Sequence, residues 1–175
     1  MSMQSDTNEC LRQLERHQES LYAYIVSLVG NADDARDLLQ EASVFVIQQA
    51  DEYQAGTNFL AWSCRIAYYK VRTYWRDKKR GRLLFDDSLL DSMSKKSLKH
   101  VQLQFDRQEA LDVCLEKLPS DKQKILRQRY YDSMSVSEIS SHRGKSYESI
   151  VAMLYRLRLA LMDCIEKAIA SGVQR

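Results

Sequence analysis

Apolar residues recur at intervals of three and four along almost the whole chain, and nowhere do they alternate with polar ones. A period near 3.6 lines up one face of a helix, whereas a half-buried strand needs a period of two, so the pattern restricts the chain to an all-α fold. Leu11, Leu14, Leu21, Ile25 and Leu28 form the first stripe, and Gly30 stops it. Asn31 supplies an N-cap with Asp34 in the first turn. Ala35, Leu38, Leu39, Ala42, Phe45 and Val46 then carry a second helical face that ends near Ala50. Beyond a loop marked by Gly56 and Thr57, the spacing of Phe59, Trp62, Ile66, Tyr69 and Thr73 predicts a third helix to about Lys79.

From Gly81 to about His100 steady periodicity is lost and serines mix with both charge signs, the pattern of a linker. Leu111, Cys114, Leu115 and Leu118 restore a helical stripe that Pro119 ends, and Ser120 with Gln123 predicts a capping box for a helix to about Tyr131. Ser135 with Glu138 predicts a second capping box, opening a short helix with Val136 and Ile139 inward. A turn over His142 to Lys145, centred on Gly144, leads to a last helix from about Ser146. Its buried stripe is Ile150, Leu154, Leu157, Leu161, Ile165 and Ala168. A length of 175 residues suits one ordinary domain or two small ones. The break in periodicity selects two small helical domains, 1–80 and 106–175, joined by a linker at 81–105, the second a winged-helix-like helix-turn-helix.

The net charge of +2 says little, because charge here is segregated rather than averaged. Arg65, Lys70, Arg72, Arg76, Lys78, Lys79, Arg80 and Arg82 stand against Asp77 alone. On a helix Arg65, Tyr68, Arg72, Trp75, Arg76 and Lys79 fall on neighbouring positions, interleaving cations for phosphates with rings for unpaired bases. A solvated basic face with its rings on the core has the same composition. Upstream, Asp33, Asp34, Asp37, Glu41, Asp51 and Glu52 make the second helix acidic. That pattern fits a docking surface for a basic partner and fits internal charge balancing equally. The helix-turn-helix pattern occurs in DNA-binding domains and in bundles that never meet DNA.

Several classes are excluded. Cys10, Cys64, Cys114 and Cys164 lie far apart with no C-x-x-C pair, which indicates neither a disulfide framework nor zinc, and predicts reduced thiols. His17, His100 and His142 lack metal-ligand spacing. There is no Gly-rich phosphate loop, nucleophile elbow or HExxH, so no cofactor, metal, small-molecule substrate or independent catalysis is expected. The polar start MSMQSDTNEC is unlike a signal peptide, and no stretch approaches the ~20 apolar residues of a membrane span. A cytoplasmic protein without membrane insertion is expected.

Two segments resemble a known family. DLLQE at Asp37 to Glu41 followed by NFLAWSCRIA at Asn58 to Ala67 is similar to the polymerase-binding and promoter-melting part of sigma-70 family sigma factors, in the small two-domain extracytoplasmic-function (ECF) group. The run from LEKLPSDKQKILRQRYYDSMSVSEIS to SYESIVAMLYRLRLAL is similar to that family's promoter-reading domain, and the resemblance covers nearly all of residues 11 to 168. The ending LRLALMDCIEKAI is similar to sigma factors of planctomycete-type bacteria.

The resemblance implies a factor that binds core RNA polymerase and directs promoter-specific initiation, with region 2 in the first domain and region 4 in the second. It implies that Asp37, Leu38, Gln40 and Glu41 face the polymerase clamp helices. It implies that the loop from Tyr53 to Asn58 pockets a flipped base, while the helix from Phe59 holds the minus-10 strand through Arg65, Tyr68, Tyr69, Arg72, Trp75, Arg76 and Lys79. Lys145, Ser146, Tyr147, Ala152, Tyr155 and Arg156 are implied at the minus-35 element. Promoter DNA and core polymerase are the implied partners, with room for an anti-sigma factor. Two positions depart from the family pattern. Tyr69 stands where many relatives have asparagine, and Val151 and Met153 stand where relatives have Lys or Arg. A stand-alone helix-turn-helix regulator is the alternative, but it has no use for the DLLQE helix, and a helical adaptor without DNA leaves both basic elements unexplained.

Overall fold

The computed structural model describes residues 2–78 and 86–172, and within these every regular element is helical. The chain divides into two compact units, Met1–Phe105 and Asp106–Arg175. In the first unit α1 (Ser2–Val29), α2 (Ala32–Gln48) and α3 (Phe59–Lys78) pack on one another, with a 3-10 turn at Ala50–Glu52. The α1–α2 bend follows from two local devices. Gly30 takes φ +74, which a β-carbon disfavours, and the Asn31 side chain accepts from the amides of Asp33 and Asp34.

The apolar stripes meet in one core containing Leu14, Leu21, Tyr24, Ile25, Leu28, Ala35, Leu38, Ala42, Val46, Phe59, Leu60 and Val71. Burying each large aliphatic or aromatic side chain there contributes about 1.5 to 3 kcal/mol. Two stripes depart from expectation in part. On α1 Leu14, Leu21, Ile25 and Leu28 are buried as expected, but Leu11 is 38% exposed and Cys10 is buried in its place. On α3 Phe59 and Ile66 are buried as expected, together with Leu60, Ser63, Cys64, Ala67 and Val71, whereas Tyr69 and Thr73 point outward. The cause is size: close packing on α1 selects small residues there, and a tyrosine counted as apolar disguises the outer face.

Across the unit, α2 and α3 are tied at their ends. The Tyr74 hydroxyl and Lys78 ammonium both donate to Asp34, at 2.7 and 2.9 Å. These bonds, Tyr74 first, hold the Asp34 carboxyl below the ordinary carboxylate range.

Residues 87–105, expected as irregular linker, are helical. They form the first part of α4 (Asp87–Glu116), with Leu90 and Val101 buried in the first core and Met93, Leu98 and Phe105 packed against it. The periodicity was hidden because serines occupy inward positions: Ser94 bonds the Tyr24 hydroxyl at 2.6 Å and Ser97 bonds Ser27. Residues 79–85, which include Lys79, Arg80 and Arg82, lie outside the described residues.

The second unit holds the end of α4 with α5 (Ser120–Tyr130), α6 (Val136–Arg143) and α7 (Tyr147–Ala170), and no β wing occurs among its described residues. Ile125, Leu126, Ile139, Ile150, Leu154 and Leu157 form its core. The capping box at Ser135 and Glu138 is present, and Gly144 ends α6 at φ +60. The one at Ser120 is not. Pro119 is the N-cap, and the Gln123 side chain turns back to the Leu118 carbonyl at 2.8 Å. The cysteines also differ from expectation. Cys114 on α4 and Cys164 on α7 form a disulfide, with Cα atoms 6.0 Å apart, while Cys10 and Cys64 are free and buried. Pairing across 50 residues is set by how the helices pack, which spacing in the sequence does not display.

Two outcomes follow. Cross-linking residues that far apart restricts the unfolded chain, so Cys114→Ser with Cys164→Ser should lower the stability of the second unit by roughly 2 to 4 kcal/mol in denaturant melts. An unchanged midpoint would show that the bond adds nothing. For Asp34, the depressed folded pKa means a contribution present above the unfolded value near pH 4 and lost as pH falls through the folded value. Urea melts of Asp34→Asn should therefore show a weaker loss of first-unit stability below about pH 4 than the parent chain.

Candidate polymerase and nucleic-acid interfaces

On α2, burying Ala35, Leu38, Ala42 and Val46 turns Asp37, Gln40 and Glu41 outward together. Leu38 is only 5% exposed, so it supports this face from the core and cannot itself meet a partner. Val44, 55% exposed, and Phe45, 39% exposed, also point outward, although the apolar period puts Phe45 on the inward stripe. At the edge toward α3, Lys70 lies 5.0 Å from the Phe45 ring centroid and 3.6 Å from the Glu41 carboxylate.

On α3 the inward small residues leave Arg65, Tyr69, Arg72, Thr73 and Arg76 exposed on one side. Tyr69 is the ring most available to a base; Tyr68 and Trp75 are half-buried against the core. The Trp75 indole N–H donates to the Leu28 carbonyl at 3.2 Å, so this ring is part of the α1–α3 seam rather than an open platform. The Tyr68 hydroxyl donates to Asp91, and burial, with the Asp91 bond adding to it, pushes that phenol up to about 12. Between α2 and α3 lies an open cleft of about 590 Å³, lined by Phe45, Gln49, Trp62, Arg65, Tyr69 and Thr73 among others. Its aromatic floor and cationic rim suit a base and its phosphate.

The loop before α3 is locally ordered. The Tyr53 hydroxyl donates to the Thr57 carbonyl at 2.9 Å, and the Tyr53 ring packs edge-on to Phe59 at 5.2 Å. Asn58 caps α3 by accepting from the Ala61 amide at 2.8 Å, while its side-chain NH₂ donates to Gln102 at 3.0 Å. Tyr53 and Asn58 are therefore brought to the same end of α3, with Gln54, Ala55 and Gly56 exposed between them.

In the second unit α5, α6 and α7 are arranged as a helix-turn-helix. Arg143 locks α6 to α5, donating to Gln128 at 2.8 Å and Asp121 at 2.8 Å. Ser146 caps α7 by accepting from the Ser149 amide, so its hydroxyl has a structural role at the helix start. Lys145, Tyr147, Ala152, Tyr155 and Arg156 are exposed on the first turns of α7 and the turn before it. Val151 is outward, at 43% exposed, whereas Met153 packs against the second core. One of the two positions that depart from the cationic pattern thus belongs to packing. Leu159 and Met162, which lie off the inward stripe, are exposed further along α7.

Comparison with known proteins agrees with this geometry. The Sigma-70 region 2 model matches residues 14–81, and the Sigma-70, region 4 model matches residues 108–161. The ECF RNA polymerase sigma factor EcfG of Rhodopseudomonas palustris is 33% identical, over 61% of this chain and 58% of that protein. RNA polymerase sigma factor SigV of Bacillus subtilis is 26% identical over 80% of this chain and 81% of its own length. A probable RNA polymerase sigma factor of Haemophilus influenzae is 24% identical over 89% of each chain. With region 2 on the α1–α3 unit and region 4 on the helix-turn-helix unit, this chain belongs to the sigma-70 family of RNA polymerase sigma factors, with ECF-type homologues.

Proposed function

We propose that this chain docks on core RNA polymerase through the outward face of α2, holds the opened minus-10 strand on α3, and reads the minus-35 element with α7. The observation that carries the reading is the pairing, in one unit, of an exposed acidic face at Asp37, Gln40 and Glu41 with an exposed basic-aromatic face at Arg65, Tyr69, Arg72 and Arg76. A free DNA-binding regulator needs the second face and not the first. Val44 and Phe45 extend the docking face with apolar area, which complements charge steering with contact burial.

Melting exchanges base stacking in the duplex for stacking on protein, at a cost of a few kcal/mol that rings and phosphate contacts must offset. Tyr69 and the cleft beside it supply that surface, and the loop from Tyr53 to Asn58 receives the flipped base. The factor supplies no bond-making chemistry; its work is positioning, carried out in the cytoplasm. An anti-sigma factor would compete for these same faces.

The docking face is tested by Asp37→Lys with Glu41→Lys. Both side chains are exposed, so helical circular dichroism should be unchanged while co-purification with core polymerase is lost. Undiminished co-purification would favour the stand-alone regulator. On α7, Arg156→Ala should cost about 1 to 3 kcal/mol at one base pair if the guanidinium takes a guanine bidentately. If it holds a phosphate, the loss is uniform across sequences and the salt slope falls by about one. Promoter variants titrated against salt separate these outcomes, and unchanged affinity and slope would remove Arg156 from the interface.

A further inference from the structure

Three of the side chains assigned to the minus-10 strand, Asn58, Tyr68 and Arg72, already have partners, and those partners come from α4. Antiparallel to α3, α4 brings Asp87 to Arg72 at 3.2 Å, Asp91 to the Tyr68 hydroxyl, and Gln102 to Asn58 at 3.0 Å. At the α4 start a cleft of about 390 Å³ has Tyr69, Arg72 and Arg76 on one wall and Asp86, Asp87 and Leu90 on the other. Carboxylates there present to Arg72 what a DNA backbone would present: negative oxygens at hydrogen-bond distance. They also repel a real phosphate strand approaching the same wall.

We propose that the first turns of α4 are an intramolecular stand-in for the promoter strand, holding Arg72 and Tyr68 occupied in the free protein, so that α4 must leave α3 before the minus-10 strand takes those side chains. This rests on the reading that α3 holds that strand. Of α4 in this unit Leu90 and Val101 are fully buried, with Met93, Leu98 and Phe105 packed beside them, while the contacts with Arg72, Tyr68 and Asn58 are polar pairs that exchange with water at little cost. Gln102 holds the opposite end at Asn58, so the strap spans α3 from its cap to Arg72. Occupation of the DNA face by its own chain gives the free factor low affinity for DNA and ties exposure of the face to a change in α4.

The strap can be locked without touching either the acids or α3. The hydroxyl oxygens of Ser27 and Ser97 are 2.5 Å apart, so Ser27→Cys with Ser97→Cys places two sulfurs where a disulfide can close. The probe is a labelled dT20 oligonucleotide, followed by anisotropy on the full chain, with circular dichroism as the check on folding. The oxidised lock should weaken dT20 binding by about tenfold or more, and reductant should restore it, with the parent chain under the same reductant as control. Asp87→Asn with Asp91→Asn should instead strengthen binding roughly tenfold, more than the charge-matched control Glu15→Gln with Glu19→Gln, two exposed side chains of α1 that line neither cleft. Three results would each overturn the strap: the locked protein binding dT20 like the parent, an acid-variant gain no larger than the control, or cysteines that never cross-link. Failure of the underlying reading looks different. In that case Arg65→Ala with Arg76→Ala, which leaves the α4 contacts in place, does not change dT20 affinity, and both ideas fall.

Discussion

The packing of α3 against α1 through small side chains is the constraint on which the rest of the first unit depends. Ser63, Cys64 and Ala67 are buried, with Val71 one turn on, and bulk at these positions would push the helices apart. Because that face is inward, Arg65, Tyr69, Arg72, Thr73 and Arg76 have only one direction left. The same core takes Leu38 and Val46 from α2 and thereby turns Asp37, Gln40 and Glu41 out. One apolar seam thus sets two exposed faces of opposite charge, which the proposed docking and strand-holding roles both need.

The helical class, the two-unit organisation and the capping of α2 and α6 were legible because each rests on local chemistry. Asn31 and Ser135 act within three residues of themselves. What escaped depended on partners distant in sequence. Phe45 and Tyr69 count as apolar in any stripe, yet tertiary packing leaves both exposed. Trp75 looks like a stacking platform until its N–H is seen bonded to the Leu28 carbonyl. Residues 87–105 look like a linker because serines occupy places where an apolar stripe would normally continue, and these serines bond hydroxyls of α1.

The second unit shows the same division. Its helix-turn-helix is set by Gly144, Ser146 and the Arg143 bonds to α5, and the exposed start of α7 could be placed from periodicity alone. The Cys114–Cys164 bond and the inward turn of Met153 could not, since both are fixed by how α7 meets its neighbours. Val151 puts an apolar side chain on the outward side of α7, which on the proposed reading favours apolar contact and backbone shape.

The central claim is that one chain joins polymerase to promoter and opens it. The direct measurement is reconstituted transcription with matched core polymerase on a pool of genomic promoter fragments, with start sites mapped in the presence and absence of the protein. The account predicts discrete start sites that appear only with the protein and share upstream elements at minus-10 and minus-35 spacing. Start sites that are unchanged by the protein, although it binds both the polymerase and the fragments, would contradict it.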